Sequence, residues 1–186
     1  MGHPSSLRLR LAARRMREGR IVAYPTEAVW GMGCDPLNPG AVAALLALKG
    51  RSKAKGLILI AADFGQIEPF LDIPSPEIRT RLLESWPGPV TWIVPAARRT
   101  PGWLKGKRGS LAVRVTAHPV ASALCGSFGG AIVSTSANPS GAKPALTLLK
   151  TRLYFADAAL DFLPGKLGGL DKPTAIYDVR SGLRLR

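Results

Sequence analysis

Apolar and polar positions along this chain fall into segments of helical and extended period, punctuated by glycine and proline. The pattern predicts a helix over about 5–18, ended by Gly19, and then a strand, "IVAYP", at 21–25. Asn38 and Pro39 open a second helix, "PGAVAALLALK", whose Val42, Leu45, Leu46 and Leu48 make an apolar stripe. A strand at 57–61 and a short helix near 65–71 follow. Ser75, Pro76 and Glu77 start the helix "PEIRTRLLESW", which "PGP" at 87–89 stops. Strands "VTWIVP" (90–95) and "SLAVRV" (110–115) flank a basic loop, "AARRTPGWLKGKRG", read as a mobile lid. Pro119 begins a helix to about 128, "AIVSTSA" at 131–137 is a strand, and a helix near 147–155 follows. Short strands at 159–163, 174–179 and 183–186 complete the chain. Strands and helices alternate without repeat or low-complexity linker, which predicts one α/β domain over residues 1–186 with a mixed sheet.

Composition narrows the picture. A chain of 186 residues, 46% hydrophobic, is long enough for one well-buried core and short for two. Its 26 Lys and Arg against 12 Asp and Glu give a net charge of +14, which calls for a polyanionic substrate or partner. Two cysteines, Cys34 and Cys125, are too few for a disulfide framework, so a reducing cytoplasm is expected. The start of the chain is charged throughout and has no apolar signal region. No uninterrupted apolar run approaches the ~20 residues needed to span a bilayer, so a soluble protein is expected.

Several chemistries lack material. With only His3 and His118 present, a histidine-dependent triad or a histidine-rich zinc site is not available, and His118, before Pro119, reads as structural. No phosphate-binding G-x-x-x-x-G-K-[ST] occurs. "GMGCDP" begins like a dinucleotide fingerprint, but Pro36 stands where the third glycine should be.

Four stretches do carry chemistry. "YPTEAVWGMG" places Thr26 and Glu27 directly after a strand; the Thr26 hydroxyl either holds a small polar substrate or caps a helix. "KGRSKAK" sets Lys49, Arg51, Lys53 and Lys55 at every second position, so an extended backbone either turns all four towards one anion or, as such runs more often do, forms a solvated basic loop; Lys49 and Arg51 are expected to face solvent. In "STSANPSG", Ser134, Thr135, Ser136 and Asn138 crowd the end of a strand with more donors than a simple chain reversal needs, which favours a phosphate cradle. Arg114, inside an apolar strand, must face a solvated cleft or find an anion, and Thr116 shares its face. Together these describe a cationic, hydroxyl-lined cleft without a nucleophilic triad or metal cage. The residues alone lead to nucleotide or RNA binding, with nucleotidyl transfer as the enzymatic option.

In order and spacing, "AYPTEAVWGMGCDP", "LKGRSKAKGLILIAA", "WPGPVTWIVPA", "SLAVRVTAHP" and "STSANPSG" resemble the YrdC-like threonylcarbamoyl-AMP synthases, in their short, single-domain bacterial form. The resemblance implies a twisted α/β fold with a concave basic face. It also implies the conversion of L-threonine, bicarbonate and ATP to threonylcarbamoyl-adenylate and pyrophosphate. The product would serve the threonylcarbamoyl modification of adenosine 37 in ANN-decoding tRNAs, completed by partner proteins. By similarity, Lys49, Arg51, Ser110, Ser136, Asn138 and Arg186 would contact ATP, with Lys49 and Arg51 beside the reacting phosphates. Thr26, Arg114, Ser134 and Thr174 would contact threonine. No metal-ligating residues are expected; Mg²⁺ would arrive with ATP, held mainly by its phosphates and water. Longer relatives carry a histidine about where this chain has Ile60, so one threonine contact is missing or replaced. The rival class is a non-catalytic protein that binds double-stranded RNA or tRNA through its basic face.

Overall fold

The computed structural model describes residues 3–52, 56–105, 109–156 and 158–186. Lys53, Lys55, Lys107 and Arg108, all read as cations of the cleft or its lid, lie outside the described residues.

Each predicted helix starts where a side chain can satisfy the free N–H groups of its first turn. Ser5 caps α1 (Ser6–Arg17), Asn38 caps α2 (Pro39–Lys49), and Asp63 caps the single turn α3 (Phe64–Ile67). Ser75 caps α4 (Pro76–Ser85), His118 caps α5 (Pro119–Phe128) and Thr147 caps α6 (Leu148–Tyr154). The helix expected near 65–71 is split, with a 3₁₀ turn at Glu68–Phe70 following α3.

The strands are β1 (Ile21–Pro25), β2 (Trp30–Gly33), β3 (Ile58–Ala61), β4 (Val90–Pro95), β5 (Ser110–Val115), β6 (Ile132–Ser136), β7 (Leu160–Phe162) and β8 (Ala175–Asp178). They join one mixed sheet in the order β7-β1-β2-β6-β3-β5-β4-β8. Parallel pairs (β1 with β7, β3 with β5, β4 with β8) are interleaved with antiparallel ones. The sequence pattern missed β2, and it overcalled 183–186, where only an isolated bridge joins Arg184 to Tyr177. β2 hides because two of its four residues are glycines with low strand propensity. Gly33 is there for close approach: a Cβ at that position would lie 2.1 Å from the Val133 carbonyl oxygen of β6.

Two apolar clusters cover the two faces of the sheet. The larger one gathers Val42, Leu45 and Leu46 of α2 with Leu82 of α4 over Leu59, Val113 and Val133. On the opposite face, Ala12 and Met16 of α1 and Val120, Leu124 and Cys125 of α5 pack over Tyr24, Ile60 and Ile132. The register aligns Ile60 with Arg114, and Ile58 with both Ala112 and Ser134. Side chains two apart on a strand share a face. Ile58, Arg114 and Ser134 therefore continue the face that α1 and α5 cover, and it is there that the sheet is open.

The described part of the basic loop after β4 is fastened to its surroundings. Thr100 Oγ1 donates to the Phe70 carbonyl (2.7 Å), Trp103 Nε1 to that of Pro36 (3.0 Å), and Leu104 is fully buried.

Candidate functional site

A cavity of about 160 Å³ opens on this face, lined by Thr26, Gly31 and Ile58, by Ser134, Thr135 and Ser136, by Thr174, and by Arg51, Arg114 and Arg186. Three guanidinium groups and several hydroxyls thus converge on one space.

Thr26 sits in the turn that links β1 to β2. Its amide donates to the Val29 carbonyl at 3.1 Å and its hydroxyl to the same oxygen at 2.7 Å, so it latches a hairpin rather than capping a helix. Gly31 keeps the cavity floor low: a Cβ there would stand 3.0 Å from Thr26 Cγ2 and 3.6 Å from Ser134 Oγ.

Arg114 is buried, and it has found its anion. Its Nη2 donates to Glu27 Oε2 at 3.2 Å, while Nη1 reaches Thr174 Oγ1 at 2.7 Å and Thr91 Oγ1 at 3.3 Å. Glu27 Oε1 accepts from Thr116 Oγ1 at 2.5 Å. A guanidinium has five N–H donors. Nη1 uses two and Nη2 one, which leaves Nε–H, buried without a partner, and one hydrogen of Nη2.

Arg51 and Arg186 supply further positive charge. Arg51 Nη2 donates to the Gly56 carbonyl at 3.1 Å, and its Nε is buried without a partner. Arg186 Nη2 donates to the Thr174 carbonyl at 3.1 Å. Burial holds the Arg186 guanidinium below its ordinary pKa, and the charges of Arg114 and Arg51 lower it further.

Lys49 departs from expectation. It is the last residue of α2, and Gly50 turns the chain left-handed at φ 57°, so the every-second-residue alignment with Arg51 does not exist. Its side chain is buried rather than solvent-facing, and Nζ donates to the carbonyls of Ser136 and Asn138. Asn138 is buried too; its Nδ2 donates to the Pro139 and Ala142 carbonyls at 2.9 and 2.7 Å. Neither residue lines the cavity, nor does Ser110, at the start of β5.

Of the ten expected site residues, seven thus meet in the cavity: Thr26, Arg51, Arg114, Ser134, Ser136, Thr174 and Arg186. Ile60 lies in the core, while Ile58, two positions earlier, reaches the lining. His118 is structural, its Nδ1 accepting from the Ala121 amide and its Nε2 placed 3.0 Å from the Lys166 carbonyl oxygen. The sequence reading missed the task of Glu27, whose partners lie 87 and 89 residues away.

The profile of the Sua5/YciO/YrdC family, described as telomere recombination, matches residues 14–184. The chain belongs to that family. Among members of the Sua5/YciO/YrdC family it is 58% identical over 186 residues, all of both chains, to a protein named threonylcarbamoyl-AMP synthase from Methylococcus capsulatus. A protein of the same name from Halorhodospira halophila is 56% identical over 96% of this chain and 94% of its own. The structure of P. abyssi Sua5 complexed with L-threonine superposes with a TM-score of 0.84 at 30% identity, covering 91% of this chain. This chain spans about half (50%) of that Sua5 chain. E. coli YciO shares the fold, with a TM-score of 0.80 at 23% identity over 95% of this chain and 87% of its own.

Proposed function

We propose that this protein is a threonylcarbamoyl-AMP synthase, a nucleotidyltransferase that joins L-threonine, bicarbonate and ATP into threonylcarbamoyl-adenylate and releases pyrophosphate. The observation that carries the reading is the cavity itself. A buried arginine with two unused donors sits among hydroxyls, and two further arginines face the same space.

Threonine is held with its carboxylate against Arg114, and with Thr26, Ser134 and Thr174 around its polar atoms. Its amine and bicarbonate form a carbamate with loss of water. A carbamate oxygen then attacks the α-phosphorus of ATP, the bond to the bridging oxygen of the β-phosphate breaks, and pyrophosphate leaves with that electron pair. Negative charge grows on the phosphoryl oxygens and on the leaving group. Fixed cations lower the barrier there without any protein nucleophile. Arg51 and Arg186 are the cavity cations free for that task, and Ser136 stands at the same wall.

Among the described residues no group of three His, Cys, Asp or Glu is placed to hold a metal ion. Glu27 has both carboxylate oxygens engaged. The residues present do not fit a protein-held metal; Mg²⁺ belongs with ATP, on its phosphates and water. No helix among the described residues is long and apolar enough to cross a membrane. We place the enzyme in the cytoplasm as one YrdC-like domain, passing its adenylate to partner proteins that modify adenosine 37 of ANN-decoding tRNAs.

Release of pyrophosphate from ATP that requires both threonine and bicarbonate tests the reading. ATP turnover indifferent to either one overturns it, as does RNA binding with no turnover at all.

A further inference from the structure

The end of α2 and the loop that leaves β6 are tied together through one residue. Lys49 Nζ donates to the Ser136 carbonyl and, at 2.5 Å, to the Asn138 carbonyl, while the Lys49 carbonyl accepts from the Ser140 amide at 2.7 Å. The same loop is braced from its other side by the Ala137 amide, which donates to the Trp30 carbonyl at 2.7 Å. Asn138 closes it internally through Pro139 and Ala142. What the loop offers the cavity is Ser136, with Ser134 and Thr135 just before it. Lys49 is only 4% exposed and is absent from the cavity wall.

We propose that Lys49 is a positioning residue: its ammonium cross-links helix α2 to the 136–140 loop and so fixes the hydroxyl wall of the cavity. Where the chain leaves β6 the buried Asn138 carbonyl has no strand partner, and among the described residues the half-buried Ser136 carbonyl accepts only the Asn138 amide besides the ammonium. A point-like ammonium with three rotatable donors can satisfy both at once. Removing it orphans the Asn138 carbonyl and leaves the Ser136 carbonyl with the Asn138 amide alone (3.0 Å), in the position that sets the loop. The kinetic part of this inference rests on the reading above; the cross-link itself does not.

The test compares amide hydrogen exchange of the ligand-free wild type, Lys49→Met and Arg51→Met. Lys49→Met should raise exchange of the Ser140 and Ala142 amides by roughly 10-fold or more, while the Val133 amide in β6 is unchanged. Arg51→Met, which removes a cavity cation, should leave all three as they are. In turnover, Lys49→Met should raise KM for ATP by roughly 10-fold with a smaller change in KM for threonine. A loop that exchanges as in the wild type, together with lost turnover, would assign Lys49 to the phosphates and overturn the proposal. Should Lys49→Met not fold, amine labelling of the wild type without ATP decides. Lys49 should label roughly 10-fold or more slowly than the exposed Lys150. Equal labelling rates, with Lys49 protected only when ATP is added, would overturn the cross-link. Because exchange and labelling are read without substrate, a failure of the proposed activity would leave both results interpretable.

Discussion

Glu27 Oε2 lies 3.2 Å from Arg114 Nη2, with the two side chains 8% and 6% exposed, and among the described residues no other ion pair is buried on both sides. The pair fixes the orientation of the guanidinium. Glu27 also balances the charge of Arg114, so the third cation of the cavity is not left wholly uncompensated.

Breaking that pair leaves a buried charge. Glu27→Ala should destabilise the fold by about 3 kcal/mol, the lower end for a broken buried pair, because the cavity lets some water reach Arg114. Glu27→Gln keeps the shape and should lose less. Both should raise KM for threonine more than KM for ATP. Urea denaturation and initial rates at varied threonine check this; a Glu27→Gln variant with wild-type KM and stability would show the pair to be idle.

The fate of this pair shows what could be read beforehand. An arginine inside an apolar strand requires an anion, and that much follows from the sequence around Arg114. Which anion it is depends on a hairpin turn 87 residues away, and no local pattern encodes that. Thr26 and Ser134 were legible because each sits at the end of a short strand, whereas Thr174 was implied by the family resemblance alone. Lys49 was misread for a physical reason. "KGRSKAK" fits a two-residue period, but the helical period of α2 runs on through Lys49, and Gly50 is its left-handed stop. β2 escaped because glycines that permit close strand approach look like turn residues when the partner strand is unknown.

Arg51 lines the cavity and, among the described residues, holds one backbone carbonyl, so its removal should separate chemistry from folding. Arg51→Ala should lower adenylate formation by roughly 10²-fold, the scale for one preorganised electrostatic group. Stability should change by about 1 kcal/mol or less, the worth of one hydrogen bond. Pyrophosphate-release rates and thermal melts on the same preparation check both figures. Near-normal turnover would remove Arg51 from the phosphate site.

The hydroxyls around Arg114 make a sharp prediction about the amino acid. Valine, which lacks the threonine hydroxyl, should be rejected strongly, because polar groups of the cavity would be left unpaired. Serine lacks only the methyl and should be discriminated by about 1–3 kcal/mol. Competition of the three amino acids for pyrophosphate release measures this, and equal kcat/KM for valine and threonine would exclude a hydroxyl contact.

The last prediction concerns pH and again turns on Lys49. Burial, and secondarily the nearby charge of Arg51, push its pKa down to about 8 from the ordinary 10.5. The unfolded chain therefore holds this proton more tightly than the folded one. Between pH values of about 8 and 10.5 the unfolded state binds more protons, so titration of Lys49 makes the fold more stable as pH rises. The neutral amine still has two N–H donors for the Ser136 and Asn138 carbonyls, so the cross-link survives the loss of charge while its desolvation cost disappears. Other lysines and tyrosines titrate in the same window, and the comparison with Lys49→Met removes their share. The stability difference, wild type minus Lys49→Met, should widen from pH 8 to 10.5 and stay level below about pH 7. Urea midpoints taken at half-unit pH steps would show it, and a difference that is flat across the window, or that narrows, would mean that the Lys49 ammonium is solvated rather than buried against the loop.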